Sequence, residues 1–139
     1  MHAVIDTNVF VSACLGTGAS NAVILACFRQ EFVPLMGTAL LSEYEDLLHR
    51  GDLFTECRLD ERERKELLDI FVSHCEWIRV YYLWRPNLPD EADNHLVELA
   101  IAGGAEVIVT SNLRDLARME LRFPGLRVMS PEAFLKELK

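Results

Sequence analysis

Residues 91–110, EADNHLVELAIAGGAEVIVT, decide the fold class of this chain. From 91 to 101 the apolar residues follow a helical period, and Gly103 and Gly104 are typical of the end of a helix. Residues 106–110 form a β-branched run with the length of a buried strand. The stretch therefore predicts one helix followed directly by one strand.

The same alternation extends in both directions along the chain. We predict further strands over 3–13, 32–36, 78–84 and 127–129, and further helices over 21–30, 38–49, 60–77 and from 131 onward. Ser20 and Ser130 are the predicted caps of two of these helices, with Pro131 in the first turn of the last one. The alternation indicates one α/β domain over residues 1–139, a three-layer α/β/α sandwich around a mostly parallel sheet.

Composition agrees with a small globular protein. The 139 residues suit one hydrophobic core, half of them are apolar, and there are only 7 glycines and 5 prolines. No apolar run approaches the roughly 20 residues that cross a bilayer. Asp6 interrupts the first apolar run, which argues against a secretory signal. We expect no membrane span and a cytoplasmic location.

Charge and spacing exclude several function classes. A formal net charge of −8 at pH 7 argues against binding of nucleic acid by a broad basic surface, which depends on Lys and Arg. The spacing of the cysteines matches neither a zinc knuckle nor a redox pair, so we expect buried, reduced thiols: Cys14, Cys27, Cys57 and Cys75. The histidines lack ligand spacing and are predicted to be ordinary surface or core residues: His2, His49, His74 and His95.

Acidic residues recur just past predicted strands and at helix starts, where parallel sheets bind their ligands. Asp6 stands within AVIDTNVFV, where an ionised carboxylate needs a hydrogen-bonding partner or a cation. Glu43 lies near the start of the helix over 38–49. Asp90 and Asp93 lie three residues apart at the start of another helix, and Asp115 follows the 106–110 strand. Together they predict a carboxylate cluster.

Each acid also has a structural explanation that requires no metal. At the end of a strand, Asp6 can accept hydrogen bonds from the backbone or from Thr and Asn side chains. Glu43 and Asp93 can complement helix dipoles, and Asp90 and Asp115 can be helix N-caps. As a group, however, carboxylates suit Mg²⁺ or Mn²⁺, because these ions prefer oxygen ligands.

Four segments of the chain resemble the PIN domain family: VIDTNVFVSA at 4–13, SEYEDLL at 42–48, PDEADNHLVELAIAGGAEVIVTSNLRDL at 89–116, and RVMSPEAFL at 127–135. They occur in the family's order and cover nearly the whole chain. The resemblance implies a parallel sheet between helices and a Mg²⁺- or Mn²⁺-dependent ribonuclease of the VapC toxin type. It also implies a homodimer and a small antitoxin protein that covers the acidic groove.

Carried over by position, the resemblance assigns the first three metal-binding acids to Asp6, Glu43 and Asp93. Many members of the family have Thr, any residue and Asp after the penultimate strand, whereas Asn112 stands in the third place here. Asp115 would supply the missing carboxylate, and SNLRDL looks like a subgroup of the family. The number of bound metal ions stays open, because Asn offers only a neutral carbonyl. The supporting polar residues would be Thr7, Asn8, Asp90, Thr110 and Asn112.

The predicted reaction is hydrolysis of RNA phosphodiester bonds with an ion that binds the phosphate and activates water. Arg114 and Arg118 flank the site in sequence and would either contact the RNA backbone or serve as plain surface charge. Phosphoryl transfer of the haloacid dehalogenase or receiver type needs a lysine at a later strand end, and none of the three lysines is so placed. A PIN-like module that binds RNA or a partner protein without turnover, because of Asn112, remains the alternative.

Overall fold

The computed structural model describes residues 1–16, 18–80, 94–116, 123 and 125–139. The strands are β1 (His2–Ile5), β2 (Val33–Met36), β3 (Glu76–Trp77), β4 (Val107–Val109) and β5 (Arg127–Met129). The helices are α1 (Thr7–Cys14), α2 (Gly18–Phe28), α3 (Thr38–Leu48), α4 (Glu61–His74), α5 (Asn94–Gly103), α6 (Leu113–Leu116) and α7 (Pro131–Leu138). A 3₁₀ turn covers Gly51–Phe54. Helices and strands alternate, as predicted.

The strands form one sheet in the order β3-β2-β1-β4-β5. All four pairings among the described strands are parallel, and Val4 in β1 lies opposite Leu35 in β2 and Ile108 in β4. Strands β2 and β3 lie on one side of β1, and the later strands β4 and β5 lie on its other side. The switch point of the sheet therefore lies between β1 and β4, where a crevice for ligands is expected at the carboxyl ends.

Helices cover both faces of this sheet. Successive strand residues point to opposite faces, yet every residue of Val107–Val109 is fully buried, as are Ala3 and Val4. Helix α5 contacts β1, β2 and β4, whereas α4 contacts β2, and α7 contacts both β5 and α2. The predicted three-layer α/β/α sandwich with a parallel sheet is confirmed.

The first strand is shorter than the predicted 3–13, and that part of the prediction is wrong. Strand β1 ends at Ile5, and α1 begins at Thr7 with Asp6 as its N-cap. Val9, Phe10 and the later apolar residues of this run are buried on the face of a helix. A continuous apolar run fits a buried helix as well as a buried strand, so its period could not separate the two.

Other predicted boundaries shift by a few residues. Helix α2 begins at Gly18, so Ser20 lies inside the helix and is not its cap. Helix α4 ends at His74, and β3 (Glu76–Trp77) lies within the predicted helix over 60–77, so the predicted end of that helix was wrong. Residues 78–80 of the predicted strand over 78–84 are not in a strand, and residues 81–84 lie outside the described part. The last helix begins as predicted, since the Ser130 side chain accepts a hydrogen bond from the Ala133 amide at 3.1 Å.

The four cysteines are free thiols, as expected. Cys14 and Cys27 are buried, whereas Cys57 and Cys75 are only partly buried. Burial raises the pKa of Cys14 and of Cys27 to about 12, so both are neutral near pH 7. These side chains therefore act as core residues.

In the described part of the chain, no single helix is long and apolar enough to cross a membrane. Helices α1 and α2 meet that criterion only when taken together, and they meet at a bend of 101°.

Candidate active site

Asp6 lies at the carboxyl end of β1, beside the switch point of the sheet. Its backbone amide donates a hydrogen bond to the carbonyl of Val109 in β4 at 2.9 Å. Its carboxylate oxygen Oδ1 accepts a hydrogen bond from the Thr7 amide at 2.8 Å, which caps α1. The side chain is thus held between a strand end and a helix start, and Asp6 is only 5% exposed.

The second carboxylate oxygen of Asp6 is held from the end of β4. The Thr110 hydroxyl donates to Oδ2 at 2.8 Å, and the Asn8 amide group donates to the same oxygen at 3.2 Å. Thr110 is fully buried, and its backbone amide donates to the carbonyl of Met129 in β5 at 2.9 Å. Side chains from α1 and from the end of β4 therefore converge on the carboxylate that follows β1.

The residues that follow β4 donate hydrogen bonds to Asn8 and Thr110, the two side chains that hold Oδ2 of Asp6. The Ser111 amide donates to Oδ1 of Asn8 at 3.1 Å, and the Asn112 amide donates to the Thr110 hydroxyl oxygen at 2.9 Å. The Asn112 contribution to these contacts comes from the main chain, and the residue itself is exposed. Thr7, Asn8 and Thr110 thus lie together around Asp6.

Glu43 enters the site from the middle of α3 and is half-buried there. The Thr7 hydroxyl lies 2.7 Å from its Oε1 and 3.4 Å from Oδ1 of Asp6. A hydroxyl has one proton to donate, so the short contact to Glu43 is the stronger hydrogen bond. The Tyr44 hydroxyl donates to the Ile5 carbonyl at 2.7 Å and thereby ties α3 to the end of β1.

His95 is a member of the site that the sequence did not predict. Its Nε2 lies 2.6 Å from Oε2 of Glu43, and the two side chains are 18% and 34% exposed. The residues are 52 positions apart, so no local spacing relates them. The only sequence signal was the location of His95 at the start of a helix whose first residues face the same edge of the sheet.

The two acids have opposite electrostatic environments. Burial raises the pKa of Asp6, the Thr110 hydrogen bond lowers it, and the nearby charge of Glu43 raises it again. The hydrogen bond from His95 holds the pKa of Glu43 below its ordinary value, in opposition to partial burial. Glu43 is therefore ionised near pH 7, and its charge makes an ionised Asp6 more costly.

Family membership follows from the comparison of the whole chain with known proteins. A family model described as PIN domain matches residues 2–114. This chain belongs to the PIN domain family. Among solved structures it is similar to VapBC2 from Rickettsia felis bound to a DNA fragment from their promoter, at 19% sequence identity and a TM-score of 0.62. That match covers 94% of this chain and 98% of the other. No curated protein matches the chain significantly.

Several of the predicted site residues of this PIN domain lie outside the described part: Asp90, Asp93 and Arg118. Asp115 lies in α6, but its side chain is not among those described. Arg114 lies in the same short helix and is exposed. The convergence of all four predicted acids therefore stays a prediction, whereas Asp6 and Glu43 are joined through Thr7.

Two described acids of the PIN domain carry the kind of ligand atom that a divalent metal ion binds. Among them, no group of three or more His, Cys, Asp or Glu is arranged to hold a metal ion. Asp6 and Glu43 nevertheless fit a hard divalent ion, because both offer carboxylate oxygens and the charge of one raises the pKa of the other. A cation between them would relieve this repulsion.

Proposed function

We propose that this PIN domain is a divalent-metal-dependent endoribonuclease and the toxin of a toxin–antitoxin pair. The proposal is carried by the buried carboxylate of Asp6 at the switch point and its link to Glu43 through Thr7, whose amide donates to Asp6 and whose hydroxyl donates to Glu43. A buried acid that is costly to ionise, next to a second acid in a ligand crevice, is typical of a functional site. Family membership supports the same chemistry.

In the proposed site, Asp6, Glu43, Asp93 and Asp115 would hold Mg²⁺ or Mn²⁺. The bound ion would offset the phosphate charge and activate the attacking water. Hydrogen bonds from Thr110 and Asn8 to one oxygen of Asp6 keep that carboxylate in place. The Thr7 hydroxyl and amide fix the distance between the two acids, because they contact both. Asp90 and Asn112 would be polar neighbours.

RNA would approach along the end of the sheet where these carboxylates lie. The overall charge of −8 would repel a polyanion, so positive charge is needed close to the site. Arg114 is exposed in α6, which follows the loop that is hydrogen-bonded to Asn8. Arg114 and Arg118 would contact the RNA backbone.

The proposed partners are an antitoxin and a second copy of the chain. The similar structure is VapBC2 bound to promoter DNA, which makes an antitoxin the first partner to test. Co-expression with the product of a neighbouring gene should yield a complex without cleavage activity. Light scattering of the purified chain should give the mass of a homodimer, and a monomer at high concentration would contradict that part of the proposal.

The central experiment measures cleavage of a labelled RNA with Mg²⁺ or Mn²⁺ and with EDTA. We expect cleavage that EDTA abolishes and that is lost in Asp6→Asn, Glu43→Gln and Asp93→Asn. The matched control is Glu45→Gln, which removes an exposed acid of the same helix α3 and should leave cleavage unchanged. Cleavage that persists in folded Asp6→Asn and Asp93→Asn would refute the proposal.

A second candidate is a PIN module that binds RNA or a partner protein without turnover. Asn112 favours it, because the residue stands where many family members have an acid. This candidate predicts RNA binding that is independent of Mg²⁺ and an absence of metal-dependent cleavage. The EDTA comparison therefore separates the two functions.

A further inference from the structure

Glu43 is held at both of its carboxylate oxygens by residues of two different helices. The Thr7 hydroxyl of α1 contacts Oε1 at 2.7 Å, and Nε2 of His95 in α5 contacts Oε2 at 2.6 Å. Glu has three rotatable side-chain bonds, so a single contact would leave its carboxylate free to turn. Two contacts, one on each oxygen, fix the carboxylate in one orientation.

The His95 contact leaves lone pairs on the Glu43 carboxylate that can bind a cation. An ionised carboxylate can only accept, so Nε2 of His95 is the donor in this pair. Each carboxylate oxygen has two lone pairs, and the contacts from Thr7 and His95 use one on each. Glu43 therefore keeps acceptor capacity on both oxygens while its orientation is fixed.

We propose that His95 is a positioning residue of this PIN domain, whose Nε2–H holds the Glu43 carboxylate in the orientation that binds the divalent ion. This inference rests on the proposed metal-dependent function. His95 does not touch the substrate in this role and acts only through Glu43. Loss of a hydrogen-bonding partner that orients a metal ligand typically lowers the metal affinity by about 10- to 100-fold.

A second histidine–glutamate pair, between the end of α3 and helix α4, provides an internal control. Nδ1 of His49, which follows the last residue of α3, lies 3.0 Å from Oε1 of Glu61 in α4. That pair also joins α3 to a neighbouring helix, but its side chains are 68% and 67% exposed. If His95 were merely a tether between helices, the loss of either histidine would leave the metal affinity unchanged.

The experiment measures Mn²⁺ affinity of the full chain by isothermal titration, with circular dichroism to confirm folding. His95→Leu and His95→Asn should weaken Mn²⁺ binding by about 10- to 100-fold, because Leu has no donor and the shorter Asn side chain does not bring its amide to the Nε2 position. His95→Gln should stay within about threefold of wild type, since its longer side chain places an amide donor near the Nε2 position. His49→Leu should bind as wild type does.

The outcomes separate this inference from the proposed function. Wild-type protein that binds no Mn²⁺, or that binds it equally well after Asp6→Asn, refutes both. Mn²⁺ binding that requires Asp6 but is equal in His95→Gln and His95→Asn refutes only the role of His95. The Gln and Asn variants are both polar, so their comparison holds even if His95→Leu does not fold.

Discussion

The hydrogen bond from Tyr44 to the Ile5 carbonyl anchors α3 directly beside the candidate site. The side chain is fully buried, and burial raises its pKa well above 10, so the hydroxyl is a neutral donor across the accessible pH range. Tyr44→Phe removes this donor and keeps the ring against Phe10, whose centroid lies 5.3 Å away. The perturbation is thus confined to one buried hydrogen bond.

The expected loss of stability follows from the burial of that bond. Removal of the donor leaves the Ile5 carbonyl without this partner and costs about 1–2 kcal/mol of unfolding free energy. The unfolding entropy of about 2.1 cal/mol/K per residue amounts to about 0.3 kcal/mol/K for a chain of this length. The midpoint of thermal unfolding should therefore fall by about 3–7 °C in calorimetry.

Ser73→Ala is the matched control for this prediction. The Ser73 hydroxyl donates to the Ile70 carbonyl at 2.6 Å, in a bond of nearly the same length as that of Tyr44, but it is exposed. When the exposed hydroxyl is removed, water can donate to the Ile70 carbonyl in its place, so Ser73→Ala should change the unfolding free energy by less than about 0.5 kcal/mol. If the unfolding midpoints of Tyr44→Phe and Ser73→Ala lie within about 1 °C of each other, burial does not determine how much the hydrogen bond contributes to stability.

Two further predictions concern Asp6 and the proposed ion. Saturating Mn²⁺, at about 100 times its dissociation constant, should stabilise the wild type by about 2.7 kcal/mol, and Asp6→Asn should abolish this gain; an equal gain in both would contradict metal binding by Asp6. Because the pKa of Asp6 is raised above 3.8 in the folded state, its contribution to stability is largest below that pH and is lost as the pH rises through the raised value. Without divalent ions, Asp6→Asn should therefore gain stability relative to wild type with rising pH in urea titrations, and a pH-independent difference would contradict it.

Most of the helices and strands followed from local patterns. The run at 107–109 is β-branched and apolar, and the last helix has Ser130 as its cap and Pro131 in its first turn, so both elements occur as predicted. The prediction of a strand over 3–13 was wrong, because Val9 and Phe10 are buried on a helix. A continuous apolar run shows no clear period that would separate a helix from a strand. The capping role of Asp6 was the overlooked sign that a helix begins there.

The site could be predicted in part. Acids and hydroxyls at the carboxyl ends of neighbouring parallel strands lie close together, which is why Thr110 after β4 donates to Asp6 after β1. The contact between Glu43 and His95 could not be found in this way, because it depends on how two helices from distant parts of the chain pack.

Local sequence determined most of the segments that become helices or strands, because hydrophobic period and capping act over a few residues. It also indicated the chemical type of the site, since Asp6 directly follows the last residue of β1. Packing decided the order β3-β2-β1-β4-β5, and with it the identity of the switch point. Packing also gave Glu43 its partners Thr7 and His95, because side chains 36 and 52 positions away approach it only once α1, α3 and α5 are assembled around the sheet.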